Sequence, residues 1–188
     1  MNYIHDIKNY MPRDEQEAQD KKVILHCTEL FPHNILLRDN EIAHITSSSF
    51  ILNKSLDKTL MIHHNIRNSW AWAGGHADGD SDLLAVAVRE AFEETGVKVT
   101  PISTNIASLD ILSVFRHFKN GAYVNSHLHL SIAYLFIANE DEKTIVKPDE
   151  NSQVAWFPIE KINDERFTDR DVYLYNKLIK RAKEWFGK

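Results

Sequence analysis

Three glutamates and one arginine stand at close spacing in the middle of the sequence, within a segment, 74–97, that reads GGHADGDSDLLAVAVREAFEETGV. At about 100° per residue, Glu90, Glu93 and Glu94 fall in one narrow sector of a helix. Carboxylates crowded in this way repel one another unless a cation neutralises them. Mg²⁺ prefers oxygen ligands. The segment therefore predicts a divalent-metal site, and the alternative is an acidic helix face in contact with solvent.

The element that must position these glutamates is a helix predicted over 82–95. Ser81 or Asp80 would be its N-cap, and Gly96 would end it. Arg89 lies at the edge of the acidic sector and can pair with Glu93, one turn later. We expect the apolar side of this helix to pack on a sheet and the glutamates to lie on the other face. That apolar side comprises Leu84, Val88, Ala91 and Phe92.

Strand-like segments surround this helix, and another helix is predicted over 169–186. Gly121 marks the turn between the last two long strands. Strands flanking a central helix, with a helix at the end, predict an α/β fold built in layers. The predicted strands cover residues 45–52, 58–63, 70–73, 97–102, 109–115, 127–137 and 154–157.

The first part of the chain, residues 1–41, is predicted to be a helical extension of a main domain over 42–188. A segment this short buries too little surface to fold alone. Pro12 can open the second helix of the extension, because a first turn does not need its missing N–H. Apolar residues at helical spacing predict a buried stripe that packs on the main domain or on a second subunit. The stripe comprises Val23, Cys27, Leu30 and Phe31.

Composition and charge restrict the class of partner. The formal charge is −5, so the basic surface that holds nucleic acid is not expected. A single cysteine, Cys27, excludes an intrachain disulfide. The N-terminal residues lack the apolar core of a signal peptide, and the longest apolar stretch, 128–138, is too short to span a bilayer. We therefore expect a cytoplasmic protein that binds neither nucleic acid nor membrane.

The spacing within 74–97 resembles the Nudix box of the MutT-type hydrolases. That box reads Gly, five residues, Glu, seven residues, Arg-Glu, an apolar residue, any residue, Glu-Glu, any residue, Gly, apolar. From Gly75 onward this chain matches it except at Ser81, which stands where the family has its first glutamate. Asp80 and Asp82 flank that position and can supply a carboxylate one residue away. The resemblance implies an α/β/α sandwich with a mixed sheet.

The resemblance also implies a reaction and the residues that perform it. Nudix enzymes hydrolyse the diphosphate of a nucleoside diphosphate derivative or similar small molecule, using Mg²⁺ or Mn²⁺ and water attack at phosphorus. Arg89 would orient the glutamates, and either Glu90 or Glu150 would be the general base. The metal ligands would be the Gly74 carbonyl, Glu90, Glu93, Glu94 and, from a late loop, Glu150.

Substrate contacts are expected beside the metal loop. Trp70 and Trp72 share a strand face and can stack a planar group, with core packing as the alternative. His76 directly follows the double glycine and can touch a phosphate. His127 and His129 share a strand face and can line the same pocket. The alternative is a polar strand face whose hydrogen bonds are satisfied without a ligand. With Gly121 they match the start of a cupin metal motif, but the glutamate which that motif needs is absent.

The resemblance leaves two classes of function open. The first is a phosphohydrolase that binds a small diphosphate substrate, with a homodimer expected because dimers are common among similar proteins. The second is a Nudix-fold domain that binds or regulates without catalysis. Such domains often lose box glutamates, whereas Glu90, Glu93 and Glu94 are all present here. These residues favour the enzyme.

Overall fold

A mixed β-sheet between two layers of helices forms the framework of the protein. The computed structural model describes residues 3–119, 121–163 and 165–186. The helices in these residues are α1 (Tyr3–Asn9), α2 (Glu15–Leu30), α3 (Leu83–Thr95) and α4 (Asp169–Phe186), and a 3₁₀ helix covers Ile159–Asn163. The strands are β1 (Ala43–Asn53), β2 (Lys58–His64), β3 (Ser69–Ala71), β4 (Ala73–His76), β5 (Val99–Pro101), β6 (Ser108–Val114), β7 (His117–Lys119), β8 (Ala122–Val124), β9 (His127–Ala138) and β10 (Asn151–Pro158).

The sheet is organised around β1, which pairs with three neighbours. Its N-terminal half pairs antiparallel with β4, its C-terminal end pairs antiparallel with β2, and its other edge pairs in parallel with β9 over its whole length. The order is β10-β2-β1-β9-β5, with β3 on β2 and β6 on β9, and every pair except β1–β9 is antiparallel. The predicted mixed sheet is therefore confirmed.

The two faces of the sheet carry separate apolar clusters, because successive side chains on a strand point to opposite sides. Ile45 and Ile51 of β1 lie on the face covered by α1, α2 and α3. Phe50 and Leu52 lie on the other face, which is covered by α4. Phe50 stacks on the buried Tyr175 of α4, with 5.6 Å between the ring centroids. Helices on both faces give the predicted α/β/α arrangement.

The N-terminal extension packs on the sheet, but the predicted buried stripe is wrong for Val23 and Leu30, whereas Cys27 and Phe31 do pack in or against the core. Val23 and Leu30 are 44% and 57% exposed. The buried side of α2 instead contains Ile24, Cys27 and Thr28 in line with Glu17. Glu17 makes an ion pair with Arg181 in α4, and this polar contact fixes which side of α2 faces inward. The spacing of apolar residues cannot reveal a buried side of a helix that is centred on a glutamate.

Two element boundaries also differ from the prediction. Helix α2 begins at Glu15, and its N-cap is Asp14, whose carboxylate accepts a hydrogen bond from the Glu17 N–H; Pro12 lies outside the helix. Gly121 does not join two long strands. It lies in the turn of the short hairpin β7–β8, inserted between β6 and β9, where its φ of +80° suits glycine. Among the helices of the described residues, none combines the length and apolarity needed to cross a bilayer.

Candidate active site

Helix α3 lies flat against the sheet and turns two of its glutamates inward. The Ser47 and Ser49 hydroxyls of β1 donate hydrogen bonds to carbonyl oxygens of α3, at 2.6 and 2.7 Å. The inward side of α3 includes Ala87, Ala91 and Glu94, whereas Phe92 is 50% exposed. The predicted apolar side is therefore wrong for Phe92, and Glu90 and Glu94 are not opposite the packed face. Small residues permit this close contact, so buried carboxylates share the face that packs.

The double glycine of β4 makes room for the glutamates of α3. The Gly74 N–H donates a hydrogen bond to Oε2 of Glu94 at 2.8 Å. A Cβ on Gly75 would lie 2.4 Å from Cδ of Glu90, which is closer than real Cβ atoms approach other atoms. A glycine at position 75 is therefore required for the present position of the Glu90 carboxylate.

The carboxylates of Glu90 and Glu94 are buried without enough positive charge nearby to neutralise them. Glu94 is 2% exposed, and burial raises its pKa to about 8, with Glu150 and Glu90 adding to the rise despite the hydrogen bond from Gly74. Burial, with Glu93 nearby, also raises the pKa of Glu90. A divalent cation would remove this repulsion, and oxygen donors of this kind suit Mg²⁺ or Mn²⁺. The residues present therefore fit the expected ion.

Lys147 connects the loop before β10 to α3, and nothing in the sequence pattern indicated this role. Its Nζ lies 3.0 Å from Oε2 of Glu93 and 3.1 Å from Oε2 of Glu150. Glu150 directly precedes β10. The Lys147 bridge therefore holds a carboxylate from a distant part of the sequence close to α3. The Glu93 side chain is 43% exposed. It faces Lys147 and Arg89 at the outer side of the acidic cluster.

Arg89 meets three carboxylates at the start of the acidic cluster. Its guanidinium nitrogens lie 3.5 Å from Asp80, 3.8 Å from Glu90 and 3.9 Å from Glu93. Asp80, one residue before Ser81, thus places a carboxylate beside Arg89. Neither residue is the N-cap of α3: Asp82 caps it, with its side chain accepting from the Ala85 N–H. The predicted stop at Gly96 is confirmed, with a φ of +73°.

A cavity of about 750 Å³ brings together most of the predicted site residues, but its lining, as far as the described residues form it, does not include Arg89, Glu93 or Trp70. Glu90, Glu94 and Glu150 line it, together with the two glycines of β4. Its wall also carries positive side chains. Two of these are held by carboxylates, since Nε of Arg38 donates to Asp78 at 2.7 Å and Arg67 donates to the buried Asp171 at 2.9 Å. The cationic wall residues are Arg38, Arg67, Arg116, Lys119 and Arg170.

Comparison with known proteins identifies the family of this chain. The sequence profile described as the NUDIX domain matches residues 43–178, most of the chain. The chain belongs to the NUDIX family. The NUDIX match contains α3, β4, Lys147 and Glu150, so the cavity carboxylates Glu90, Glu94 and Glu150 all fall within it. No curated protein sequence matches the chain.

Two solved structures show the same NUDIX fold. One is a NUDIX-family hydrolase from Clostridium perfringens, 21% identical, with a TM-score of 0.52, covering 73% of this chain and 96% of that one. The other is a MutT protein from Methanosarcina mazei Go1, also 21% identical, with a TM-score of 0.51, covering 77% and 96%. At this level of identity the similarity concerns the fold alone. The part of this chain outside the matched region includes α1 and α2, which precede residue 43.

The residues predicted to contact substrate divide between the NUDIX cavity and the core. Trp72 lines the cavity but is only 8% exposed, because its ring also packs against Tyr175 at 5.6 Å. Trp70 is not part of the cavity wall as the described residues form it. Its ring packs edge-on against Phe157 at 4.7 Å and against His63 at 5.4 Å.

The three predicted histidines all line the cavity, and a fourth joins them. His76 of β4 and His127 and His129 of β9 lie around His44 of β1, at centroid distances of 4.8–5.0 Å from it. His44 begins a strand and has no histidine near it in sequence. The strand pairing brings the four residues together, so no local pattern could have found His44.

Proposed function

We propose that this protein hydrolyses the diphosphate linkage of a nucleoside diphosphate derivative or similar small molecule, and that Mg²⁺ or Mn²⁺ serves as its cofactor. The observation that carries the proposal is the convergence of Glu90, Glu94 and Glu150 on one cavity. These carboxylates come from α3 and from the loop before β10, and those of Glu90 and Glu94 are costly to bury without a cation. Membership of the NUDIX family agrees with this reading.

The charge of the cavity wall supports a diphosphate substrate. Acidic side chains suited to a divalent ion occur in the same cavity as arginine and lysine side chains suited to phosphate oxygens. Among the latter, Arg116 and Lys119 flank His117 near the hairpin β7–β8. A volume of about 750 Å³ is within the usual range for a small-molecule site. The cavity therefore suits a small molecule that carries several negative charges.

The residues that would hold the ion are Glu90, Glu93, Glu94, Glu150 and the Gly74 carbonyl. When bound, a divalent ion neutralises phosphate charge and lowers the pKa of a water molecule. In the reaction the water oxygen forms a bond to phosphorus as the bridging P–O bond breaks. The leaving phosphate keeps the bridging oxygen, and a carboxylate takes the proton of the water.

Two carboxylates are candidates for the base that accepts this proton. Burial raises the pKa of Glu90, which makes its carboxylate a better proton acceptor than an exposed glutamate. Glu150 lines the same cavity and is partly neutralised by Lys147 at 3.1 Å. Arg89, within 3.9 Å of both Glu90 and Glu93, would act as a positioning residue that keeps these side chains in place.

The experiment is a panel of nucleoside diphosphate derivatives, with Mg²⁺ or Mn²⁺, scored for released phosphate or monophosphate. Glu90→Gln keeps the size of the side chain and removes its charge. We expect turnover to fall by at least about a hundredfold, the usual range for an acid–base group. Glu29→Gln, an exposed site on α2, is the matched control and should keep full activity.

The panel also separates the two classes of function. A substrate that the wild-type protein turns over and Glu90→Gln does not would support the hydrolase. A ligand that binds with Mg²⁺ but is returned unchanged would show the non-catalytic NUDIX-fold domain instead. Wild-type turnover in Glu90→Gln would mean that α3 is not the catalytic element.

A further inference from the structure

Four histidines form a cluster on three adjacent strands, separate from the carboxylates of α3. His44 of β1 is the direct register partner of His129 of β9, and His76 of β4 pairs opposite Thr46, two residues along β1. His127 lies two residues before His129 on the same face. The ligating nitrogens of His44, His127 and His129 all lie within 4.8 Å of one another.

Two of these imidazoles are held so that the same nitrogen faces the cluster. Nδ1 of His44 lies 3.0 Å from the Asn40 carbonyl oxygen, and Nδ1 of His127 lies 2.8 Å from the Asn125 carbonyl oxygen. A carbonyl oxygen can only accept, so each Nδ1 carries the hydrogen and a neutral ring keeps its lone pair on Nε2. Histidine ligands of metals are typically oriented by such a hydrogen bond from the other ring nitrogen.

The Nε2 atoms converge, and that of His44 has no donor to satisfy its lone pair. His44 is 4% exposed, and within the described part of the chain its Nε2 is buried and has no hydrogen-bond partner. Nε2 of His127 lies 3.2 Å from Nε2 of His129. A separation of about 3.3 Å is what two imidazole nitrogens adopt on one tetrahedral ion at about 2.05 Å from each. A buried acceptor with no donor calls for an explanation, and a cation would provide one.

We propose that His44, His127 and His129 bind a divalent transition-metal ion, with Zn²⁺ as the best match, at a site distinct from the carboxylates. Imidazole nitrogens suit Zn²⁺, Ni²⁺ and Cu²⁺, whereas Mg²⁺ prefers oxygen. His76, whose ring centroid lies 4.9 Å from that of His129, is the nearest further donor. Three protein ligands leave at least one position for water or for an anionic group of a molecule in the cavity.

The electrostatics of the cluster agree with neutral ligands. Burial, with neighbouring histidines and Arg38 nearby, lowers the pKa of His129 to about 2, and burial lowers that of His44 as well. These rings therefore stay unprotonated at neutral pH, which is the form that binds metal. Metal binding at the histidines does not require hydrolase activity, so failure of this metal site and failure of the proposed hydrolase function can be distinguished.

The test uses the full chain, stripped of metal by a chelator, and Co²⁺ and Zn²⁺ as probes in the presence of excess Mg²⁺. We expect one equivalent of ion to bind with Mg²⁺ present, and the visible absorption of Co²⁺ to be that of a low-coordinate nitrogen site. His127→Gln combined with His129→Gln should lower the affinity by at least ~100-fold, since even outer-shell changes cost 10–100-fold. His26→Gln combined with His33→Gln changes two exposed histidines and should leave binding unchanged.

A second pair of variants separates this site from the carboxylate site. Glu93→Gln combined with Glu94→Gln should keep the Zn²⁺ and Co²⁺ signals while losing the response to Mg²⁺. Loss of Zn²⁺ binding in this variant, with retention in His127→Gln/His129→Gln, would place the ion on the glutamates and overturn the proposal. If the histidine variant does not fold, X-ray absorption of the Zn²⁺-loaded wild-type protein decides: a shell with three imidazoles supports the site, and an oxygen-only shell or no bound ion refutes it.

Discussion

The carboxyl group of Glu90 lies directly over the α-carbon of Gly75, so that an added Cβ at position 75 would come within 2.4 Å of Cδ of Glu90. The obstructing atoms are the end of a flexible side chain, which can move. A larger residue at position 75 would therefore displace the carboxylate and leave the backbone of β4 in place.

Gly75→Ala is thus expected to separate activity from stability. We expect turnover to fall by about tenfold to a hundredfold, because a catalytic group misplaced by about 1 Å can cost that much. In the Glu90→Gln background the same change should cost little further activity, because both act through one carboxylate. Equal losses in the two backgrounds, measured with the substrate that the panel identifies, would show that Gly75 acts through another group.

Mg²⁺ should stabilise the folded protein by binding at the carboxylates of α3. At a hundredfold excess over Kd, a ligand of the native state adds about 2.7 kcal/mol, which raises the melting temperature by roughly 2–4 °C per kcal/mol. Glu93→Gln combined with Glu94→Gln should abolish this rise. Thermal melts with and without Mg²⁺ test it, and Glu29→Gln should respond as the wild type does. An unchanged response in the double variant would place the ion elsewhere.

Glu17 should make stability depend on pH in the acid range. It is fully buried, and although burial alone would raise its pKa, hydrogen bonds from Arg181 and Tyr10 and the charge of Lys177 lower it to about 2. Because the pKa of Glu17 is lowered in the folded state, its carboxylate contributes fully to stability above about pH 4.5, and this contribution is lost as the pH falls towards 2. Asp110 beside Lys177 has a pKa raised by burial, so its effect opposes that of Glu17.

Glu17→Gln tests this expectation. Removal of one partner from a buried ion pair typically costs about 3–5 kcal/mol, because the other charges stay buried without it. We expect a loss of this size at neutral pH that shrinks as the pH falls from 4.5 towards 2. Urea unfolding across that range measures it. A difference between wild type and Glu17→Gln that is independent of pH would mean that the charge of Glu17 does not stabilise the fold.

Deletion of residues 1–31 should damage the whole protein, because α1 and α2 cover one face of the sheet. Ile7 and Ile24 are both 0% exposed and belong to the same cluster as Ile45 of β1. Their removal exposes apolar surface, so we expect aggregation or a lower melting temperature. Sedimentation velocity would also show whether the expected homodimer forms and whether it needs these helices. A deletion variant with the mass state and melting temperature of the full chain would contradict this prediction.

Much of the local structure was determined by the sequence itself. The helix predicted over 169–186 is α4, with the same ends, and the helix around Glu90 begins one residue late and stops at Gly96 as expected. The long strands also lie close to their predicted ranges. Helix periodicity, N-caps and the glycines that end helices involve residues only a few positions apart in the sequence. Such short-range patterns can therefore be recognised without the tertiary structure.

Only the tertiary structure decided which side of each helix faces inward and which distant residues meet. Glu90 and Glu94 lie on the packed side of α3 because Gly74 and Gly75 let the helix approach β4, and α2 presents Glu17 inward because Arg181 lies across from it. Lys147 reaches Glu93 and Glu150 from the loop before β10, and His44 reaches the cavity through strand register. These contacts join residues far apart in the chain, and their positions follow from how strands pair, which no local pattern of residue types records.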